Sequence, residues 1–209
     1  MRVEKGIVTE LEGIKLIQHL IPTSNKLARP QHSMTPEYIT IHNTGNSGAS
    51  ALANSKYVDN VNSYASWHFT VGPGEVYQEL PITESAWHAG DGENGTGNRK
   101  SIGIEIAEVD GAEETAVKFV AQLIKATGIS IDKVVPHRHW SGKYCPRLIL
   151  PHWAEFIYNI KKELESNMTA QEAEKIVQEK ARLDDNTMQY LRFYRYGEAL
   201  LIKLAEAMK

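Results

Sequence analysis

Three residues of types that bind metals or attack carbonyl groups stand at separate points of the chain. His42 ends a β-branched run, His137 follows the short run 134–136, and Cys145 comes shortly after His137. Two imidazoles and a thiolate suit zinc, and a catalytic zinc site uses three protein ligands with one position open for water. Such a water becomes a nucleophile near neutral pH. The residue types alone leave other roles open, because single histidines and cysteines are commonly structural, and Cys145 could instead be a nucleophile with a histidine as its base.

Short β-type runs separated by glycine-rich loops are predicted to position these residues. Residues 101–107 alternate with period two, so that three isoleucines face one way while Gly103 and Glu105 face the other. Further strands are predicted over 38–42, 66–71, 75–80 and 134–135, of which the second and third form a hairpin. Helices are predicted over 49–61, 113–127 and 148–164, and Gly128 is expected to end the second. Strands interleaved with helices indicate an α/β fold with a central mixed β-sheet flanked by helices.

The composition of the sequence changes near residue 165, where charged, Ala- and Leu-rich helical patterns without proline begin. Residues 1–165 are therefore predicted to form one domain, and residues 168–209 a small C-terminal helical module. About 40 residues are few for independent stability. The module is therefore expected to dock on the main domain or to dimerise.

Helix signals recur within this module. Thr169 and Glu172 fit a capping box, Asp184 or Asp185 is expected to cap a second helix, and Gly197 is expected to separate the second helix from a third. An aromatic cluster is expected to pack a small core rather than stack on sugars; it comprises Tyr190, Leu191, Phe193, Tyr194 and Tyr196.

Composition narrows the possible partners. The net charge of −3 and the pI near 6.2 give no general electrostatic attraction to nucleic acid or to an anionic membrane. The single cysteine excludes an intramolecular disulfide. No run approaches the roughly 18 apolar residues of a membrane-spanning helix, so no membrane insertion is expected. The first residues lack a secretion-signal pattern, since Lys15, Gln18 and His19 interrupt their apolar stretch, and we expect synthesis in the cytoplasm.

Five sequence blocks in the same order resemble the N-acetylmuramoyl-L-alanine amidases of Gram-positive bacteria and their phages. That family shares its fold with the animal peptidoglycan recognition proteins. The blocks are YITIHNTGN (38–46), SWHFTVGPGEVYQELP (66–81), AWHAGDG (86–92), GNRKSIGIEIAE (97–108) and VVPHRHWSGKYCPRLIL (134–150). The resemblance covers about residues 16–164 and implies hydrolysis of the amide bond between N-acetylmuramic acid and L-alanine in peptidoglycan.

The resemblance also implies roles for individual residues. It assigns the zinc ligands to His42, His137 and Cys145. Glu105 of the IGIEI block is expected to take a proton from the attacking water. Lys143, just before the cysteine, is expected to stabilise the oxyanion. The expected substrate contacts are His88, His68, Trp87, Asn98 and Arg99.

One alternative on the same fold is a protein that binds peptidoglycan without cleaving it. Such proteins typically lack the cysteine ligand, whereas Cys145 and Glu105 are both present here. Without a secretion signal, the resemblance implies a phage or prophage lysis enzyme that is made in the cytoplasm and acts at the cell wall. A sporulation or autolytic amidase is also compatible. The C-terminal module is then expected to bind the wall, to dock, or to form a homodimer.

Overall fold

The computed structural model describes residues 1–60, 62–166, 170–195 and 197–208. Thr169 and Tyr196, which the sequence places in a capping box and an aromatic cluster, lie outside these ranges. The chain divides into two compact units, residues 1–161 and 162–209. Within the described ranges, no helix combines the length and the apolar content that crossing a membrane requires.

Residues 1–161 fold around a mixed β-sheet. A separate hairpin is formed by β1 (Arg2–Glu4) and β2 (Ile7–Glu10). Six strands form the main sheet: β3 (Lys15–Gln18), β4 (Tyr38–Asn43), β5 (Phe69–Gly72), β6 (Glu75–Gln78), β7 (Ser101–Ile106) and β8 (Val134–Pro136). Their spatial order is β3-β6-β5-β7-β4-β8, and only the β5–β6 pair is antiparallel. The predicted mixed sheet and its hairpin are confirmed.

Five helices belong wholly or mainly to this unit. They are α1 (Ala51–Ser55), α2 (Thr96–Lys100), α3 (Ala112–Thr127), α4 (Arg138–Ser141) and α5 (Trp153–Ser166). Helix α3 ends as predicted at Gly128, whose φ of 71° is a left-handed conformation that glycine adopts without strain. The Phe119 ring of α3 lies 4.8 Å from the Phe69 ring of β5, so α3 covers that face of the sheet.

The central strands present one apolar and one polar face. Ile39 and Ile41 of β4 pair in register with Ile102 and Ile104 of β7, and all four are fully buried. Because side chains alternate along a strand, the residues between them point to the opposite face. That face carries Thr40, His42, Thr70, Gly103 and Glu105. The alternation predicted for β7 therefore separates the core from the polar face.

Several bounds differ from the prediction. The helix expected over 49–61 is the short α1 followed by a 3₁₀ helix at Lys56–Asp59. The strand expected from Ser66 starts at Phe69, although the His68 amide still donates to the Gly103 carbonyl at 3.0 Å. The closing helix starts at Trp153 after a 3₁₀ helix at Leu150–His152. Strands β1 to β3 were not predicted, because their residues are mostly exposed or half-buried and show little apolar alternation.

In the described part of residues 162–209, the structure has the further helices α6 (Ala170–Ala181), α7 (Asp185–Phe193) and α8 (Gly197–Ala207). Asp184 caps α7 as expected, since its carboxylate accepts from the Thr187 amide at 2.7 Å. The helices meet around an aliphatic core of Ala173, Val177, Met188, Leu201 and Ala205.

The predicted aromatic core of this unit is wrong. The side chains of Tyr190 and Phe193 are each 82% exposed, and that of Tyr194 is 56% exposed. Among the cluster residues that the structure describes, only Leu191 packs against the core. An amphipathic helix buries one stripe, and in α7 Met188 and Leu191 occupy it, which leaves the rings on the exposed side.

Candidate active site

Three candidate metal ligands meet at the polar face of the sheet. His42 lies near the carboxyl end of β4, His137 directly follows the neighbouring β8, and Cys145 lies in the loop after α4. One ligand atom from each side chain lies within 4.8 Å of the other two, and all three residues are buried. The structure thus brings together the three residues that the sequence singled out, in an arrangement that could hold one metal ion.

A chain of hydrogen bonds determines which nitrogen of His42 faces the other two ligands. His88 Nε2 lies 3.2 Å from the Ser101 carbonyl oxygen, which can only accept, so this nitrogen carries the proton. His88 Nδ1 then accepts from His42 Nε2 at 3.0 Å. A neutral His42 therefore keeps a free lone pair on Nδ1, and this atom lies 3.9 Å from Cys145 Sγ.

Burial keeps these imidazoles neutral. It lowers the pKa of His88 to about 3, with a further contribution from His68. Burial also holds the pKa of His42 well below its ordinary value, assisted by His88, His137 and Lys143. The pKa of His137 is lowered first by burial and second by Lys143. Neutral imidazole is the form that binds a metal ion.

The donor set fits a zinc ion. His137 Nδ1 is buried and has no hydrogen-bond partner among the described residues, as expected for an atom whose partner is a cation. Burial, with a smaller contribution from Glu105, raises the pKa of the Cys145 thiol to about 11, so the thiolate needs a cation beside it. The same shift argues against a nucleophilic cysteine, which requires a lowered thiol pKa.

A cavity of about 230 Å³ opens onto the three residues. Glu105 lines it from β7, in register beside His42, and its Oε1 lies 3.9 Å from His42 Nδ1. Burial raises the pKa of Glu105 to about 8, while Lys143, which also lines the cavity, lowers it. A carboxyl group in this position can exchange protons with a molecule in the cavity near neutral pH.

Of the five expected substrate contacts, Trp87 and His88 line the cavity. His68 lies outside it and is fully buried. Its Nδ1 accepts from the Gly103 amide at 2.9 Å, and its Nε2 donates to the Glu84 carbonyl at 2.8 Å. With both ring nitrogens bonded to backbone groups, His68 helps to hold β7, and its contact with substrate stays a prediction.

Asn98 and Arg99 also lie outside the cavity, and their contact with substrate stays a prediction. Asn98 Oδ1 accepts from the amides of His88 and Ala89 at 2.9 and 2.8 Å, and its Nδ2 donates to the Gly92 carbonyl at 3.0 Å. The Asp91 carboxylate accepts from the amides of Gly97 and Asn98 at 2.6 and 3.2 Å. These bonds close the polar loop 91–98 at its base and hold His88 in place. Arg99 is half-buried on α2.

An ion pair that was not predicted from the sequence joins two loops of the site. The buried Glu108 carboxylate accepts from Arg147 Nε at 3.0 Å and from Arg147 Nη2, and also from the Gly45 amide at 3.1 Å. Arg147 itself lines the cavity. The pair ties the loop after His42 to the segment after Cys145. No local sequence pattern predicts this ion pair, because Glu108 and Arg147 are far apart in the chain and meet only in the folded protein.

A second unforeseen carboxyl group lies within the fold. Glu79 is fully buried near the hydroxyl groups of Ser55 and Thr70, although neither of its oxygens has a hydrogen bond of ordinary geometry with the residues that the structure describes. Burial raises its pKa well above the ordinary value, outweighing the opposite effect of the two hydroxyls. Thr70 also accepts from Trp67 Nε1 at 2.7 Å, and Trp67 lines the cavity. Burial therefore favours the neutral form of Glu79, which lies near Thr70, the residue that accepts from the cavity-lining Trp67.

Comparison with known proteins identifies relatives of this chain. The family described as N-acetylmuramoyl-L-alanine amidase matches residues 32–148. The N-acetylmuramoyl-L-alanine amidase CwlH of Bacillus subtilis (strain 168) is 50% identical over 154 residues, which cover 70% of this chain and 61% of the relative. The amidase XlyA of the same organism is 49% identical over 150 residues, which cover 68% of this chain and 50% of the relative. The chain therefore spans less than two thirds of the length of either relative.

Solved structures agree with this grouping. The catalytic domain of XlyA superimposes with a TM-score of 0.67 at 48% identity and covers 70% of this chain and 99% of that domain. A mutant endolysin from Bacillus subtilis gives the same TM-score at 47% identity, with 70% of this chain and 99% of the endolysin chain covered. His42, Glu105, His137 and Cys145 all lie within the residues that the family matches. The chain belongs to the N-acetylmuramoyl-L-alanine amidase family.

Proposed function

We propose that the chain is a zinc-dependent amidase that hydrolyses the bond between N-acetylmuramic acid and L-alanine in bacterial peptidoglycan. The observation that carries this proposal is the convergence of His42, His137 and Cys145 beside a cavity that also contains Glu105. Family membership supports the substrate class, since the two named relatives are N-acetylmuramoyl-L-alanine amidases. A zinc ion held by these three residues would supply a positive centre that polarises the carbonyl group and activates water near neutral pH.

Glu105 acts as the general base and then as the general acid. Its carboxylate takes a proton from the attacking water and later delivers it to the amine nitrogen of L-alanine as the amide bond breaks. Burial raises the pKa of this carboxyl group, which makes its carboxylate a stronger proton acceptor. Lys143 favours the ionised carboxylate, and its ammonium group offers a donor to the oxyanion that forms on the former carbonyl oxygen.

The Glu105→Gln substitution tests this assignment. It keeps the size of the side chain but removes the base, so we expect zinc content and folding to persist while turnover falls about 10²- to 10⁴-fold. Turnover is measured as amine release from a soluble muramoyl-L-alanyl peptide, and zinc by elemental analysis. Glu114→Gln is the matched control, because Glu114 is exposed on α3. Full turnover by the Glu105 variant would refute the role of the base.

Two further outcomes separate the proposal from its alternatives. Zinc-loaded protein that binds peptidoglycan but releases no amine would be a binding protein on the amidase fold. Activity that survives complete removal of metal by a chelator would point to Cys145 as a nucleophile and contradict the zinc assignment.

We further infer a role in phage or prophage lysis, with the protein acting on the cell wall. The similarity to an endolysin from Bacillus subtilis supports this role. Expression inside a Bacillus host is expected to leave cells intact until the membrane is permeabilised, after which turbidity falls. Lysis that begins without permeabilisation would contradict the inference.

A further inference from the structure

The small helical unit carries a row of exposed side chains that its own core does not use. Tyr190 and Phe193 of α7 are each 82% exposed. Asn186 and Gln189 lie on the same side of the helix at spacings of three and four residues, and both are exposed. These four side chains line one surface depression, and we call them the α7 stripe.

The chemistry of the α7 stripe suits a neutral ligand rich in hydroxyl groups. None of its four side chains is charged at neutral pH, and the nearby Arg192 is already paired with Glu174 at 2.9 Å. Flat aromatic rings pack against the C–H faces of pyranose sugars, and the tyrosine adds a hydroxyl group. The two amide groups can each donate to and accept from sugar hydroxyls.

We propose that the α7 stripe binds the glycan strand of the cell wall and thereby retains the enzyme on its insoluble substrate. This inference rests on the proposed function, because it takes the glycan from the substrate of the amidase. Binding to an anionic wall polymer would require cations, which the stripe lacks. A second copy of the chain fits less well, since a stable interface buries about 800 Å² on each partner. Four side chains on a helix of nine residues offer far less surface.

The test uses the full chain with Glu105→Gln, so that the wall is not digested during the measurement. We combine Tyr190→Ala with Phe193→Ala and measure cosedimentation with peptidoglycan from which anionic polymers have been removed. Binding is expected to weaken by about tenfold or more, because two stacking rings are lost. Exchanging the rings, as Tyr190→Phe with Phe193→Tyr, should keep most of the binding. Tyr158→Ala is the control, since this α5 tyrosine is also exposed, at 59%.

Two properties of the unsubstituted stripe identify the ligand. Binding should survive about 0.5 M NaCl, at which attraction between exposed charges is largely screened. N-acetylglucosamine oligomers should compete with the wall. Circular dichroism should show the same helix content for all variants, because the substituted rings are exposed.

Three results would overturn the proposal. The double alanine variant could bind the wall as well as the parent does. Binding could disappear in salt, which would indicate an anionic polymer. The double variant could instead change from dimer to monomer in sedimentation velocity without losing wall binding, which would assign the stripe to a second copy. Hydrolysis of the soluble peptide by the chain with Glu105 intact tests the proposed function separately.

Discussion

The His88→Phe substitution tests whether the hydrogen bond between His42 and His88 orients His42, because it removes this bond and keeps an aromatic ring at position 88. The His88 ring packs on Gly103, where an added Cβ would lie only 2.8 Å from the ring, so the close approach requires glycine. Phenylalanine keeps a flat ring at this place. It removes the acceptor for His42 Nε2 at 3.0 Å and the donor to the Ser101 carbonyl at 3.2 Å.

The expected loss follows from these two bonds. Removing the group that orients a metal-binding histidine typically lowers metal affinity about 10- to 100-fold, because the ring can then turn or change tautomer. That loss corresponds to about 1.4–2.8 kcal/mol of binding free energy. The buried Ser101 carbonyl also loses a donor, so the free energy of unfolding of the metal-free protein should fall by about 1–3 kcal/mol.

Zinc affinity is measured by competition with a fluorescent chelator at fixed pH, and stability by urea unfolding of metal-free protein. His88→Asn is the matched control, because its side-chain oxygen can still accept from His42 and should preserve more of the zinc affinity. A phenylalanine variant that loses stability but binds zinc as tightly as the parent would refute the orienting role.

The remaining predictions concern the two carboxyl groups that the sequence did not reveal and the cysteine. Glu79 has a raised pKa when folded, so its contribution to stability is present below its unfolded pKa of about 4.3 and is lost as pH rises towards the folded value. The free energy of unfolding is measured with urea on metal-free protein at acidic and mildly alkaline pH. As pH rises, the stability of Glu79→Gln relative to the parent should increase by up to about 1.4 kcal/mol per pH unit. The same pH dependence in both proteins would contradict this prediction. Arg147→Met leaves the buried Glu108 carboxylate with the Gly45 amide as its remaining donor among those described above. The free energy of unfolding in urea should fall by about 1–2 kcal/mol. The expected loss is kept small because the Arg147 side chain is about half exposed, where solvent weakens an ion pair. The substitution should also weaken zinc binding, and unchanged values of both quantities would show that the pair does not hold the loops. Cys145→Ser should weaken zinc binding in the chelator competition, because a neutral hydroxyl is a poor ligand compared with a thiolate, and unchanged affinity would remove Cys145 from the ligand set.

Local patterns in the sequence were enough to predict the elements that carry the site. The isoleucine alternation identified β7, and it placed Glu105 on the face opposite the core, where the structure has it. The β-branched run before His42 identified β4, and Gly128 marked the end of α3. Each of these signals depends only on residues that are close together in the chain, so the sequence alone contains it.

Contacts between distant segments could not be obtained in this way. Nothing near His68 in the sequence indicates that both of its nitrogens are bonded to backbone groups, and the link between His88 and Ser101 likewise appears only in the fold. The aromatic residues of α7 were misassigned for another reason. Helical spacing places Met188 and Leu191 together on the buried side of α7 and leaves Tyr190 and Phe193 exposed.

The bonds that close the loop 91–98 have a consequence for how such enzymes diversify. Asp91 and Asn98 join backbone groups at the two ends of this loop, and Asn98 fixes the backbone that carries His88. Changes at the exposed Glu93 and Asn94 are therefore expected to leave the histidines in place, whereas a side chain at Gly97 would collide with Ala89 and Trp140. The tip of the loop can therefore vary in sequence without disturbing the backbone that carries His88.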